Sequence, residues 1–196
     1  MLRSSVIPAG GPDKPFRKSG AALLLVIDEW RHGYYAPDMS NDAYTVERSL
    51  TIDSPPAEIY ALVADFRRWT EWSPWEGLDP ELQRTYSGSE SGPGASYRWS
   101  GNRKAGQGEM TILEAVEPSS ITVDLRFDKP FKARNDMSFE IREQGSGSSV
   151  HWVMTGKKTL TTKVMGIFKS MDALVGPDFE KGLAQLKALV ELPAGA

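Results

Sequence analysis

The chain has 196 residues, with 23 Lys and Arg against 26 Asp and Glu for a formal net charge of -3. That is enough chain to bury the core of one domain, and it lacks the basic excess that neutralising a phosphate backbone requires, so nucleic acid is not expected as a partner. There is no cysteine, which excludes disulfide frameworks, thiolate zinc sites and cysteine nucleophiles, and His32 and His151 are the only imidazoles.

Met1 to Gly20 is rich in Pro, Gly, Ser and cations and cannot bury enough apolar area to offset its ordering entropy. Residues 1–43 are therefore read as a flexible or loosely docked leader, and 44–192 as the domain. Ala21 to Ile27 is the one apolar run of the leader and stops at Asp28 and Glu29. A bilayer span needs about 20 apolar residues, so no stable membrane span is expected. Arg17 and Lys18 precede the run, yet Asp28-Glu29-Trp30-Arg31 is no small-residue cleavage site. The expected location is the cytoplasm, with peripheral contact at a membrane surface left open.

From Tyr44 to Ile52, Tyr44, Val46, Arg48, Leu50 and Ile52 alternate with Thr45, Glu47, Ser49 and Thr51, the period of a half-buried strand. Asp53 or Ser54 is placed to cap a helix over Ala57 to Ala64, with Pro55 and Pro56 at its start. A second short helical piece is expected over Phe66 to Trp72. Turn residues then separate strands at about Glu81 to Tyr86, Ala95 to Ser100, Gln107 to Val116, Ile121 to Phe127, Ala133 to Gln144 and Ser149 to Lys157. The alternation sends Met110, Ile112, Ile121, Val123, Leu125, Phe127, Asn135, Met137, Phe139, Ile141, Val150, Trp152 and Met154 inward. Glu109, Asp124, Arg126, Arg134, Asp136 and His151 go to the wet face.

Thr161 to Glu191 reads as one long helix. Leu160, Val164, Ile167, Phe168, Met171, Leu174 and Val175, then Phe179, Leu183, Leu186, Leu189 and Val190, recur at three- and four-residue steps. Pro177 lacks an amide hydrogen, so a kink or restart is expected at Gly176-Pro177. The fold class is α+β: a curved antiparallel sheet of six to seven strands wrapped around a long C-terminal helix, with two short helices after the first strand.

These residues carry a resemblance. Tyr44-Thr45-Val46-Glu47-Arg48-Ser49 into Ile52-Asp53-Ser54-Pro55-Pro56-Ala57-Glu58-Ile59-Tyr60, Val63-Ala64-Asp65-Phe66-Arg67-Arg68-Trp69 to Trp72-Ser73-Pro74-Trp75, Gly108-Glu109-Met110-Thr111-Ile112, Val150-His151-Trp152 and Phe179-Glu180-Lys181-Gly182-Leu183 resemble the polyketide cyclase/dehydrase-like (SRPBCC) branch of the START-related helix-grip superfamily. The resemblance implies a cavity between sheet and long helix that admits a hydrophobic small molecule such as a lipid or a polyketide-like compound. No cofactor and no metal is expected.

The candidate ligand-contact residues are Trp75, Tyr97, Trp99, Met110, Ile112, Phe127, Asn135, Met137, Phe139, Trp152, Phe168 and Met171, with Leu125 and Met154 beside them. Trp69, Trp72 and Trp75 are spaced by three; burying their large area staples the short helices to the sheet, while Trp75 also suits a cavity mouth. Tyr97 and Trp99 share one strand face, with Tyr86 next door, and either fill the core or orient a ligand. Glu109 and Asp136 are the carboxylates that would serve a cyclase or dehydratase if either turned inward, where desolvation raises a carboxyl pKa. An interaction module with a filled core is the third reading, and the absence of a cavity would favour it. His151 has no carboxylate at fixed spacing to orient it for catalysis. No phosphate-binding glycine loop, serine elbow or histidine-carboxylate metal cluster stands in the sequence.

Overall fold

The computed structural model describes residues 43–158 and 170–191. All of them lie in the second of the chain's two units, Pro37–Ala196. Seven strands follow in order: β1 (Ala43–Ile52), β2 (Gln83–Gly88), β3 (Ala95–Ser100), β4 (Gln107–Val116), β5 (Ser120–Lys129), β6 (Ala133–Gln144) and β7 (Gly147–Lys157). They form one sheet in the order β1-β7-β6-β5-β4-β3-β2, with every neighbouring pair antiparallel. Register shifts in β4 against β5, between Gln107 and Gly108 and between Ile112 and Glu114, help to curve the sheet, because an extra residue on one strand bends it and increases its twist.

The alternation read from the sequence holds on the inner face: Val46, Ile52, Met110, Ile112, Val123, Leu125, Met137, Phe139, Ile141, Val150, Trp152 and Met154 are buried. The bulge explains its failure beyond Ile112, where Leu113 is unpaired in the register and half exposed. Asp124 is a correction of another kind. It keeps its outward direction, yet it is 3 % exposed, because Arg126 Nε and Arg134 Nε clasp its carboxylate at 2.7 and 2.6 Å.

Helix α1 (Pro56–Ala64) follows β1, and a 3-10 turn over Arg68–Glu71 stands where the second helical piece was expected. The cap is not the one the sequence suggested. Pro55 occupies the N-cap position with no side-chain hydrogen bond, since Ser54 Oγ donates to Glu58 instead and Asp53 accepts from Ser146 Oγ. Trp69 and Trp72 do staple this segment down. Their indole N–H groups donate to the carbonyls of Val63 and Leu62 at 2.9 and 3.3 Å, and both rings meet Phe139 and Trp152 of the sheet.

Helix α2 runs Met171–Glu191 as one element with Pro177 inside it; the start predicted at Thr161 lies outside the described residues, as do Leu160, Val164, Ile167 and Phe168. No restart occurs at Gly176-Pro177. Gly176 serves instead as a seat for Arg48, whose guanidinium occupies the space a Cβ there would need. One turn to either side, Asp172 and Glu180 accept from that guanidinium at 2.7 Å each, and the Arg48 charge holds the Asp172 carboxyl below its ordinary range. Strand β1 is thus pinned to the helix across the one stretch where proline removes a backbone bond. The buried side of α2 is Gly176, Phe179, Gly182, Leu183 and Leu186, with Phe179 stacked on Trp152 at 3.9 Å between centroids. Leu174, expected on that side, is exposed.

Candidate functional site

The inner face of the sheet is filled at one end and open at the other. Under α1, Trp69, Trp72, Phe139, Trp152 and Phe179 pack in edge and stacked contacts and leave no room. Toward the β3–β4 and β5–β6 hairpin ends there is a cavity of about 320 Å³, within the range of small-molecule sites. Among the described residues the core is therefore not filled throughout.

Its walls come from separate elements: Tyr97 and Trp99 of β3, Met110 of β4, Leu125 and Phe127 of β5, Asn135 and Met137 of β6, Met154 of β7, and Met171 and Val175 of α2. The Tyr86, Tyr97 and Trp99 rings stack in series at 5.2 and 5.8 Å, and Phe127 sets its edge on Trp99 at 5.6 Å. Trp99 Nε1 donates to the Ala105 carbonyl, so the apolar body of the indole faces the cavity while its polar edge is satisfied. Trp75 is held in the same manner, by Asp178 on α2 at 3.3 Å.

The segment carrying Trp75, Glu76, Leu78 and Leu82 is knotted to the β3–β4 loop by Asp79. This carboxylate accepts from the Asn102 amide at 2.6 Å and the Glu81 amide at 3.0 Å, and Asn102 Nδ2 donates back to the Leu78 carbonyl. Leu78 and Phe131 stand 39 % and 52 % exposed on a rim shared with Lys104, Pro130 and Lys132.

Polar groups inside are few. Glu76 is the lining carboxylate, and Arg84 pairs with it. Burial, with the Glu76 charge beside it, pushes the Tyr97 hydroxyl up to about 12, so this phenol keeps its proton. Also in the wall, Tyr44 Oη donates to Asn135 Oδ1 at 2.6 Å, and burial raises the Tyr44 pKa as well. The pair is built over a glycine. Tyr44 and Asn135 both lie opposite Gly156, on the two strands flanking β7, and a Cβ at Gly156 would overlap Asn135 Oδ1 and come within 2.6 Å of the Tyr44 hydroxyl.

Of the candidates named from sequence, Trp75, Tyr97, Trp99, Met110, Phe127, Asn135, Met137 and Met171 line the cavity, with Leu125 and Met154. Ile112, Phe139 and Trp152 do not; they belong to the buried core, where Trp69 and Trp72 pack against Phe139 and Trp152. Phe168 lies outside the described residues. Glu109 points outward, to Arg98 at 2.8 Å and Ser96 at 3.2 Å. Asp136 is half-buried on the same outer face, and His151 faces Glu47 there at 3.5 Å. Among the described residues no group of three potential metal ligands gathers, and no helix is long and apolar enough to cross a membrane. Tyr44, Trp69, Leu78, Lys104, Phe131 and Val175 are also part of the lining and were not named from sequence as ligand contacts. For Tyr44, the signal available was a glycine inside the β7 strand pattern, which marks a close approach.

Solved structures share this fold. Protein CV1439 from Chromobacterium violaceum matches with a TM-score of 0.55 at 16% identity, over 75% of this chain and 96% of that one. Ara h 8.0201 matches with a TM-score of 0.53 at 15% identity, over 76% and 97%. DynU16, a protein in the dynemicin biosynthetic locus, matches with a TM-score of 0.53 at 13% identity, over 76% of this chain and 47% of that one. At these identities the likeness is one of fold, the helix-grip fold. No curated protein matches the sequence. The family model described as polyketide cyclase / dehydrase and lipid transport matches residues 43–191, and the chain belongs to that family.

Proposed function

We propose that the domain binds a hydrophobic, ring-bearing small molecule, of lipid or polyketide-like character, in the cavity between its sheet and α2, and carries or sequesters it. The observation that carries this reading is the cavity of about 320 Å³ with an aromatic and methionine wall and few polar groups. Burying apolar ligand surface there contributes about 25 cal/mol per Å², and the methionines let the wall adapt. A cyclase or dehydratase reading has less support: it needs a titratable group aimed at the substrate, whereas Glu109 and Asp136 face away and Glu76 is tied to Arg84. The expected setting is the cytoplasm. Leu78 and Phe131 beside Lys104 and Lys132 favour peripheral contact with an anionic membrane surface from which such a ligand would be collected.

Native mass spectrometry of the purified chain, followed by denaturing extraction, tests the proposal. The expected result is an apolar molecule of defined mass, lost when Val175→Trp fills the cavity from α2. A clean apo mass that does not shift with mixed lipids or aromatic polyketides would overturn it.

A further inference from the structure

The cavity wall holds a polar pair among otherwise apolar neighbours. Asn135 is 3 % exposed on a strand whose inward neighbours are otherwise apolar: Met137, Phe139 and Ile141. Placing a primary amide there costs desolvation unless its groups find partners. One half does. At 2.6 Å, the contact with Tyr44 Oη is short for an N–H···O bond and ordinary for O–H···O, which identifies the amide oxygen as the partner. Burial keeps the phenol protonated and able to donate. The amide is thereby fixed with Oδ1 toward Tyr44 and Nδ2 turned away.

Nδ2 has no bond of its own among the described residues, and it is not among the sealed, unsatisfied polar atoms, which are Trp152 Nε1 and Gln185 Oε1. As a cavity-lining residue, Asn135 thus presents a donor that is buried from bulk solvent but open to the cavity. Three strands cooperate to hold it. Tyr44 on β1 and Asn135 on β6 face each other across β7, and they meet because Gly156 between them has no side chain.

We propose that Tyr44, Gly156 and Asn135 form a recognition point for a neutral carbonyl oxygen of the ligand, so that the preferred ligands are apolar ring-bearing ketones. This rests on the cavity being the ligand site. A carboxylate is disfavoured at that point, because the Tyr44 and Asn135 donors are neutral. Buried charge without a partner is costly. The aromatic wall of Trp75, Tyr97, Trp99 and Phe127 accepts the rings, and the amide takes the carbonyl.

Equilibrium dialysis of the full chain with 9-fluorenone and with fluorene, which differ by the carbonyl oxygen, tests this. Replacing Asn135 with the similarly sized leucine (Asn135→Leu) is expected to weaken fluorenone binding about fivefold, the range of one neutral hydrogen bond, while fluorene binding is kept or improved. Tyr44→Phe releases the amide to turn and is expected to give a smaller selective loss of about twofold; it serves as the second probe should Asn135→Leu fail to fold. Fluorene binding unchanged by either substitution, with fluorenone equally unchanged, would overturn the carbonyl assignment and leave the cavity reading standing. Failure of both probes to bind the unmodified protein would overturn both readings together.

Discussion

Gly156→Ala probes the packing around the Tyr44–Asn135 pair most directly. In an ordinary strand this substitution stabilises slightly, because glycine loses more backbone freedom on folding. Here the added methyl would overlap Asn135 Oδ1 and stand 2.6 Å from Tyr44 Oη and 2.7 Å from Tyr44 Cζ. The two side chains must separate, which costs about 1 kcal/mol for the hydrogen bond and about 1–3 kcal/mol for forcing a methyl into a filled site. The expected destabilisation is about 2–4 kcal/mol, read as a lower urea midpoint at unchanged slope. Tyr44→Phe alone should cost about 1 kcal/mol. The double variant should fall short of the sum by about 1 kcal/mol, because the bond can be lost only once. A Gly156→Ala variant as stable as the parent, or strict additivity, would refute the close approach described above.

Two further outcomes follow from the same geometry. The Tyr97 hydroxyl is raised by burial and by Glu76 to about 12, so its contribution is intact below the ordinary tyrosine value of about 10 and is lost as pH climbs from there toward 12, where the unfolded chain ionises first. Urea midpoints across that interval should decline, and decline less in Tyr97→Phe; identical profiles would contradict the assignment. Phe179→Ala removes the ring stacked on Trp152 at a position with 0% exposure and should cost about 3–5 kcal/mol in thermal or urea unfolding. A loss under about 1 kcal/mol would show that α2 is not anchored there.

The strands were legible because their signal is local. Two-residue alternation in Ala133 to Gln144 and in Gln107 to Val116 marks both ends of β6 and β4 as the structure has them. Eight of the cavity-lining side chains, Tyr97, Trp99, Met110, Leu125, Phe127, Asn135, Met137 and Met154, followed from the same rule. What did not follow depends on register or on loops. That Tyr44 meets Asn135, 91 positions apart, is decided by which residue of β7 lies between them, and nothing in either strand announces it. Leu78, Lys104 and Phe131 reach the rim through hairpin turns and an Asp79 knot, where no periodicity points a side chain anywhere. At Gly176-Pro177 the helix runs on without the restart that was one of the two expected outcomes. Proline's local cost was legible, whereas the Arg48 guanidinium lying over the glycine, bridging two carboxylates, is a contact between chain segments more than a hundred residues apart.

The indoles that close the core also touch one another. Trp69 and Trp72 lie 4.7 Å apart, Trp72 and Trp152 5.8 Å, and Trp152 and Trp75 5.8 Å. At such separations excitation absorbed by one ring passes readily among the four, and their near-ultraviolet transitions mix. Trp75 and Trp69 are also part of the cavity wall. The protein therefore contains an optical antenna whose two ends both reach the cavity, and a molecule entering beside Trp75 would alter the emission of the whole set without any label.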